Sequence, residues 1–299
     1  MNIFVEIKDS FTKGTILTKL IYTNLLVFFL LISTLAVLYL LNQNLSTFKS
    51  FFELPPSLIR FITHPWTLIT YMFTHFSFLH ILMNMLFLYW FGKVFLQYLT
   101  ERHMLGLYLL GGLAGGIAFV LAYNTIPVLG NNAAITPATG ASASVMAIIF
   151  AIVSLVPKHE VYVPILGRVK LLYIGLTAIA IDIISIPLQN TGGHIGHLGG
   201  AFMGVIFSLQ YRKGKDIVSW IVKITDGIVS IFSNKKKIRV TSRNKNKATY
   251  SKFDDMEYNA RKKADQDEIN AILDKVARSG YGSLSASEKE KLFKMSSKK

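Results

Sequence analysis

Residues 78–98 read FLHILMNMLFLYWFGKVFLQY, an apolar run that carries one charged side chain, Lys93. As a helix rising about 1.5 Å per residue, the run is about 31 Å long, which matches the hydrocarbon core of a bilayer. Lipid offers no hydrogen-bond partner to an open backbone, so a chain that crosses it here must be helical. The stretch therefore predicts a transmembrane helix.

Five further runs of this kind lie on either side, at about 23–41, 103–123, 140–156, 169–186 and 192–209. The whole chain of 299 residues is 52% hydrophobic and 16% charged, whereas soluble domains carry about 25% charged residues. The composition excludes a single soluble enzyme, and the absence of cysteine excludes disulfides, thiolate metal sites and a cysteine nucleophile. We predict an all-α membrane protein, with an N-terminal segment over 1–19 and a six-helix bundle over 20–211.

The distribution of charge predicts the orientation of this bundle. Lys and Arg are concentrated in residues 1–19 and in the connections after the second and fourth runs, whereas the connections 124–139 and 187–191 carry none. Positive loops stay on the cytoplasmic side, so both termini are expected in the cytoplasm. The second, fourth and sixth helices then begin at the outer face. The apolar first loop, 42–74, is expected to dip into the outer leaflet, with Trp66 and Tyr71 at the interface.

Residues 212–299 form a basic tail, with 22 Lys and Arg against 11 Asp and Glu. Isoleucines at helical spacing predict an interfacial helix over 216–232. A linker over 233–263 follows, and its basic cluster at 235–247 is typical of contact with anionic lipid rather than nucleic acid. A short helical pair is predicted over 264–296, where Ser285 and Glu288 have the spacing of a capping box.

Polar side chains cluster near the outer ends of the second, fourth and sixth helices. Ser142 lies in the first turn of the fourth helix and His197 in about the second turn of the sixth, so a hydroxyl and an imidazole are expected at matched depth. This pair is the minimum set for nucleophilic acyl transfer, with Ser142 as nucleophile and His197 as general base. His80 and Asn84 share one helical face, and together with the N–H groups at the start of the fourth helix they can donate to an oxyanion.

Small residues indicate how these helices approach each other. Gly192, Gly196, Gly200 and Gly204 recur every four residues on the sixth helix. Alanines recur in the same way on the fourth, at 143, 147 and 151. Such rows let backbones come close. If the rows face each other, Ser142 and His197 come within hydrogen-bond reach.

Two polar residues leave alternatives open. Asp182, near the outer end of the fifth helix, either orients an imidazole as a third catalytic member or makes a structural hydrogen bond, and the structural interpretation is favoured. His194 and His197 could ligate a metal, but they lack the Glu of a His-Glu-x-x-His motif. We therefore assign neither metal nor cofactor.

Three motifs together resemble the rhomboid family of intramembrane serine proteases: His75 to Asn84 (HFSFLHILMN), Gly140-Ala-Ser142, and His197-Leu-Gly-Gly200 with Gly204. The resemblance implies a six-helix core, a Ser142–His197 dyad, an oxyanion hole from His80, Asn84 and the Ser142 N–H, and helix packing through Gly140, Gly196 and neighbouring small residues. It also implies cleavage of membrane-anchored proteins without a cofactor, in a bacterial-type inner membrane with both termini in the cytoplasm. The chain departs from the family pattern at Ala143, expected to add a methyl against the sixth helix, at Thr67 and at Met146.

Two other classes of function remain as alternatives. The first is a non-catalytic rhomboid-like factor that binds membrane proteins, although such relatives tend to lack the serine or the histidine. The second is a transporter or channel, which predicts an inverted repeat with helices broken at mid-membrane. The sequence has no such repeat, and its polar residues cluster near one face instead.

Overall fold

The computed structural model describes residues 3–130, 137–163, 167–188, 190–232, 268 and 270–296. The whole of the predicted linker over 233–263, including its basic cluster at 235–247, and Ile269 lie outside the described residues. The chain divides into two compact units, residues 1–234 and 235–299.

The described residues of the first unit are mostly helical. The helices are α1 (Ile3–Lys13), α2 (Ile16–Leu40), α3 (Leu45–Lys49), α4 (Leu58–Thr63), α5 (Thr67–Thr70), α6 (Phe78–Tyr98), α7 (Glu101–Thr125), α8 (Pro127–Gly130), α9 (Ser142–Leu155), α10 (Leu171–Ser185), α11 (Thr191–Arg212) and α12 (Ser219–Phe232), with a 3₁₀ turn at Tyr71–Phe73.

All six apolar runs form helices, namely α2, α6, α7, α9, α10 and α11. Among the described residues, α2, α6 and α7 are long and apolar enough to cross a membrane. The helices α9 and α10 are apolar but have only 14 and 15 residues, fewer than the roughly 17–25 that a full crossing needs. Membrane-spanning character is therefore supported for three helices, and six crossings stay a prediction.

The centre of the bundle is built from α7, α9 and α11, which approach at glycines. A Cβ placed on Gly200 would overlap the Ala143 carbonyl, and one on Gly204 would overlap the Ala147 carbonyl. The C-terminal half of the glycine row thus packs on the alanine row, as predicted. The N-terminal half faces α7 instead: Gly196 approaches the Gly115 carbonyl at 3.7 Å from its Cβ position.

The close approach of α7 to α9 yields a stability prediction. A methyl at Gly111 would overlap the Ala147 methyl, while its next neighbours are at 3.4 and 3.5 Å, ordinary contact distances. Gly111→Ala should therefore destabilise the bundle by about 1–3 kcal/mol through overpacking. Ala147→Gly in the same chain should restore much of the loss, measured as the midpoint of thermal unfolding in detergent. If the double variant is no more stable than Gly111→Ala alone, the two helices do not meet at this pair.

A pair of short strands among the described residues departs from the all-α prediction. Residues Glu160–Val163 (β1) and Gly167–Lys170 (β2) pair antiparallel between α9 and α10, with Val161 opposite Val169. The connection is rich in β-branched residues, which favour strands, and Gly167 has a positive φ of 76°. The sequence interpretation read this segment only as a charged loop.

The first loop is attached to the bundle more firmly than predicted. Tyr71 is buried, and its hydroxyl donates to the Gly112 carbonyl of α7, so the expectation that it lies at the lipid interface is wrong. Buried Asn24 of α2 donates to the Tyr108 hydroxyl at 3.1 Å, and that hydroxyl donates to the Met72 carbonyl at 3.1 Å. This network joins α2, α7 and the first loop, because buried polar groups require partners.

The predicted interfacial helix begins at Ser219, and part of its apolar side packs on protein. Ile221 and Val222 are buried, and Val218 lies where a Cβ on Gly106 of α7 would meet it at 2.6 Å. Ile224, on the same predicted stripe, is 52% exposed. Only part of the stripe is therefore available to lipid.

In the second unit, residues 270–279 are helical (α13), and α14 spans Ala286–Ser296. The predicted capping box is confirmed: Ser285 N donates to Glu288 Oε2 at 2.6 Å, and Glu288 N donates to Ser285 Oγ at 3.3 Å. The Ser285 N–H, assisted by Lys275, lowers the pKa of Glu288 to about 2.

Candidate active site

Ser142 is the first residue of α9, directly after a turn that only glycine forms easily. Gly140 has a φ of +107°, and its N–H donates to the Tyr71 carbonyl at 2.8 Å. A Cβ on Gly140 would lie 2.6 Å from Cε1 and 2.7 Å from Nε2 of His80. The glycine therefore fixes the turn and brings the His80 ring against the residues that precede the serine.

A second histidine holds the same turn. His75 is fully buried, and its Nε2 accepts a hydrogen bond from the Ala141 N–H at 3.2 Å. Its ring centroid lies 5.1 Å from that of His80. The contact with the residue before Ser142 depends on a tertiary approach that local spacing does not reveal.

His197 is held by a carboxylate. Its Nδ1 lies 2.9 Å from Asp182 Oδ1, and Nδ1 of His194 lies 2.7 Å from the same oxygen. Asp182 is 4% exposed, and its Oδ2 has no hydrogen-bond partner among the described residues. If Nδ1 of His197 donates to the carboxylate, Nε2 carries the lone pair and is free to accept a proton.

Ser142 and His197 line one cavity of about 570 Å³, together with His80, Asn84 and Asp182. No hydrogen bond joins Ser142 to His197, although both residues are fully described. The predicted hydrogen-bond reach is thus not realised in this state. Catalytic hydrogen bonds are often long in unliganded enzymes and shorten with substrate bound. The cavity brings together the serine, the imidazole and the two candidate oxyanion donors.

The candidate oxyanion donors differ in their present contacts. Asn84 is nearly buried, and its Nδ2 donates to the His80 carbonyl at 2.9 Å, so one amide proton remains. The helix α9 has no capping side chain at Ala141. The N–H groups of its first turn, including that of Ser142, are therefore not occupied by a cap and carry the positive end of the helix dipole.

The three departures from the family pattern have structural counterparts. The Ala143 methyl lies beside α7, where a Cβ on Gly115 would overlap it, while the Ala143 carbonyl and Cα lie against Gly200 of α11. Thr67 is buried and donates to the His64 carbonyl at 2.6 Å, while Trp66 donates to the Phe51 carbonyl at 3.0 Å. Met146 lines the cavity beside the serine.

Comparison with known proteins agrees with these motifs. The model of the Rhomboid domain matches residues 63–214, which is half of the chain and includes the helices that line the cavity. The chain belongs to the rhomboid family. A second family model, a family of unknown function, matches residues 254–298.

Several curated relatives are similar over about half of this chain. RHOMBOID-like protein 12, mitochondrial, of Arabidopsis thaliana is 32% identical over 158 residues, 47% of its own length. Presenilin-associated rhomboid-like protein A, mitochondrial, of Danio rerio is 29% identical over 161 residues, 39% of its length. Rhomboid-like protein 16, chloroplastic, of Arabidopsis thaliana is 29% identical over 161 residues. The chain spans about half the length, or less, of these relatives.

Proposed function

We propose that the protein is an intramembrane serine endopeptidase that cleaves membrane-anchored proteins in or next to their transmembrane segments. The observation that carries the proposal is the shared cavity, in which Ser142 of α9 and His197 of α11 lie with a carboxylate on His197 Nδ1. Membership of the rhomboid family, whose members are typically serine intramembrane proteases, supports this function.

In the proposed reaction, Ser142 Oγ attacks the scissile carbonyl carbon while His197 Nε2 takes the serine proton. The resulting oxyanion is stabilised by the Ser142 N–H, by Asn84 Nδ2 and by His80. His197 then protonates the leaving amine, and water hydrolyses the acyl-enzyme by the same route. No metal or other cofactor takes part in these steps.

The walls of the cavity support a substrate that comes from lipid. Phe87 and Phe91 of α6 form one side, and Ile174, Ala178 and Ile181 of α10 form another. Ile181 is 57% exposed, so the cavity borders the apolar outer surface of the bundle. A transmembrane segment would have to unwind locally to enter, because helical carbonyls are already hydrogen-bonded and shielded.

We propose the same topology that the charges predict: six crossings, both termini in the cytoplasm and a site that opens to the outer face of a bacterial-type inner membrane. The short helices α9 and α10 then cross a locally thinned or protein-filled part of the membrane. The basic tail is proposed to contact anionic lipid. To test the orientation, a cysteine is introduced at Leu188 and whole cells are treated with a membrane-impermeant biotin reagent. This topology predicts that the cysteine is labelled, because it places Leu188 at the outer face.

Fluorophosphonate labelling, which modifies activated serines, distinguishes the proposed protease from the alternative of a non-catalytic binding factor. The protease predicts covalent labelling of wild type, and loss of that labelling in His197→Ala at equal expression. A binding factor predicts equal background labelling in both. Labelling of wild type that persists undiminished in His197→Ala would remove the support for a histidine-activated serine.

Asn84→Ala tests the oxyanion hole. Loss of one donor should lower kcat by about 10²-fold and leave KM nearly unchanged, because the donor acts on charge that develops in the transition state. Steady-state cleavage of a model transmembrane substrate in proteoliposomes measures both constants. An unchanged kcat in a folded variant would exclude the Asn84 amide from this role.

A further inference from the structure

The carboxylate and two imidazoles behind the candidate site form a cluster with the chemistry of a metal site. His194 and His197 lie three residues apart on one face of α11, and Asp182 reaches them from α10. The ligating atoms of the three residues all lie within 4.8 Å of one another. In the sequence only His194 and His197 have a spacing that suggests metal ligation, whereas the fold brings Asp182 to them as a third ligand.

The geometry points to a Zn²⁺ ion. We propose that Asp182, His194 and His197 form a zinc site, and that zinc bound there switches off His197 as a base. Two imidazole nitrogens and one carboxylate oxygen, with one open position for water, are a ligand set that zinc commonly takes, whereas Mg²⁺ and Ca²⁺ prefer oxygen ligands throughout.

The two imidazole-to-carboxylate distances require only small changes for ligation. Both Nδ1 atoms lie 2.7–2.9 Å from Asp182 Oδ1. Tetrahedral zinc with bonds of about 2.0–2.1 Å places its ligand atoms about 3.3 Å apart. Each imidazole would therefore withdraw from the carboxylate by about half an ångström to admit the ion.

A second observation favours a cation at this place. Asp182 is only 4% exposed, yet its Oδ2 has no hydrogen-bond partner among the described residues. A buried carboxylate oxygen without a hydrogen-bond partner is costly, and a bound cation would compensate its charge. His194 also lines an open pocket with Ser185, Pro187 and Leu188, which gives an ion access from solvent.

Zinc would act on the site through the tautomer of His197. Ligation uses the Nδ1 lone pair, so the ring proton moves from Nδ1 to Nε2, by exchange with water, and the imidazole stays neutral. With Nε2 protonated, His197 has no lone pair left to accept the Ser142 proton. This consequence rests on the proposed serine protease function, whereas zinc binding itself does not.

The test uses the full-length protein in detergent, purified through a tag that contains no histidine. Zinc is titrated against a chromophoric competitor in wild type, His194→Ala and His159→Gln, the last as a control that removes a histidine hydrogen-bonded to Tyr98 elsewhere in the protein. We expect one zinc per chain, bound at least about tenfold more weakly in His194→Ala only. Equal affinity in wild type and His194→Ala would overturn the site.

Fluorophosphonate labelling of Ser142 supplies the second readout, normalised to each variant without metal. Zinc should block labelling of wild type, and blocking His194→Ala should take at least about ten times more zinc. Equal zinc sensitivity in the two proteins would overturn the switch. His194-dependent binding in a protein that never labels would support the zinc site and count against the proposed protease.

Discussion

Ser142→Ala is expected to abolish cleavage of a model transmembrane substrate, with a fall in kcat of at least about 10³-fold. The hydroxyl is the nucleophile that attacks the scissile carbonyl in the proposed reaction, and removal of a catalytic serine leaves only the contributions of binding and the oxyanion hole. The measurement is single-turnover cleavage in proteoliposomes, at equal protein content and with matched thermal unfolding midpoints. Fluorophosphonate labelling should disappear in the same variant.

The chain contains a close control for this experiment. Ser144 lies two residues further along α9, is fully buried and has an Oγ without a hydrogen-bond partner among the described residues. Removal of that hydroxyl costs no hydrogen bond, so Ser144→Ala should cleave and label like wild type. If Ser142→Ala cleaves like wild type, or both variants lose cleavage equally, Ser142 is not the nucleophile.

The sequence predicted the parts of the fold that depend on neighbours along the chain. Apolar runs identified six helices, because a helix that contacts lipid or the protein core consists of a continuous stretch of hydrophobic residues. The run 78–98 has the same bounds as α6. The glycine and alanine rows predicted the packing at Gly200 and Gly204, since a helix face that carries only small side chains allows the backbone of a neighbouring helix to come close. The capping box at Ser285 was equally local.

The parts that were missed depend on which elements meet in space. The side of α7 that Gly196 approaches, the burial of Tyr71 and the contact from His75 to Ala141 all follow from tertiary packing. The hairpin at 160–170 was missed because a short connection has too few residues for a clear period. The candidate site was predicted as Ser142 and His197 with His80 and Asn84 as oxyanion donors, whereas Asp182 was left between a catalytic and a structural interpretation, the structural one being favoured.

Asp182 is the residue on which the orientation and the tautomer of the His197 ring depend. The carboxylate lies 2.9 Å from His197 Nδ1, the position from which it can hold the ring orientation and keep the proton on Nδ1. In the proposed reaction it acts on Nδ1 of His197 rather than on the reacting Nε2, so it is a positioning residue. This arrangement goes beyond the serine–histidine dyad that the family resemblance implies.

Asp182→Asn should lower kcat by about 10²- to 10⁴-fold with little change in KM, because an amide can donate to Nδ1 and favour the wrong tautomer. The kinetics are measured with a metal chelator present, so that loss of zinc binding cannot contribute. In a His197→Ala background the same substitution should have no further effect, since the residue acts through the imidazole. A purely structural Asp182 predicts instead that its substitution lowers the unfolding midpoint and impairs both backgrounds to the same extent.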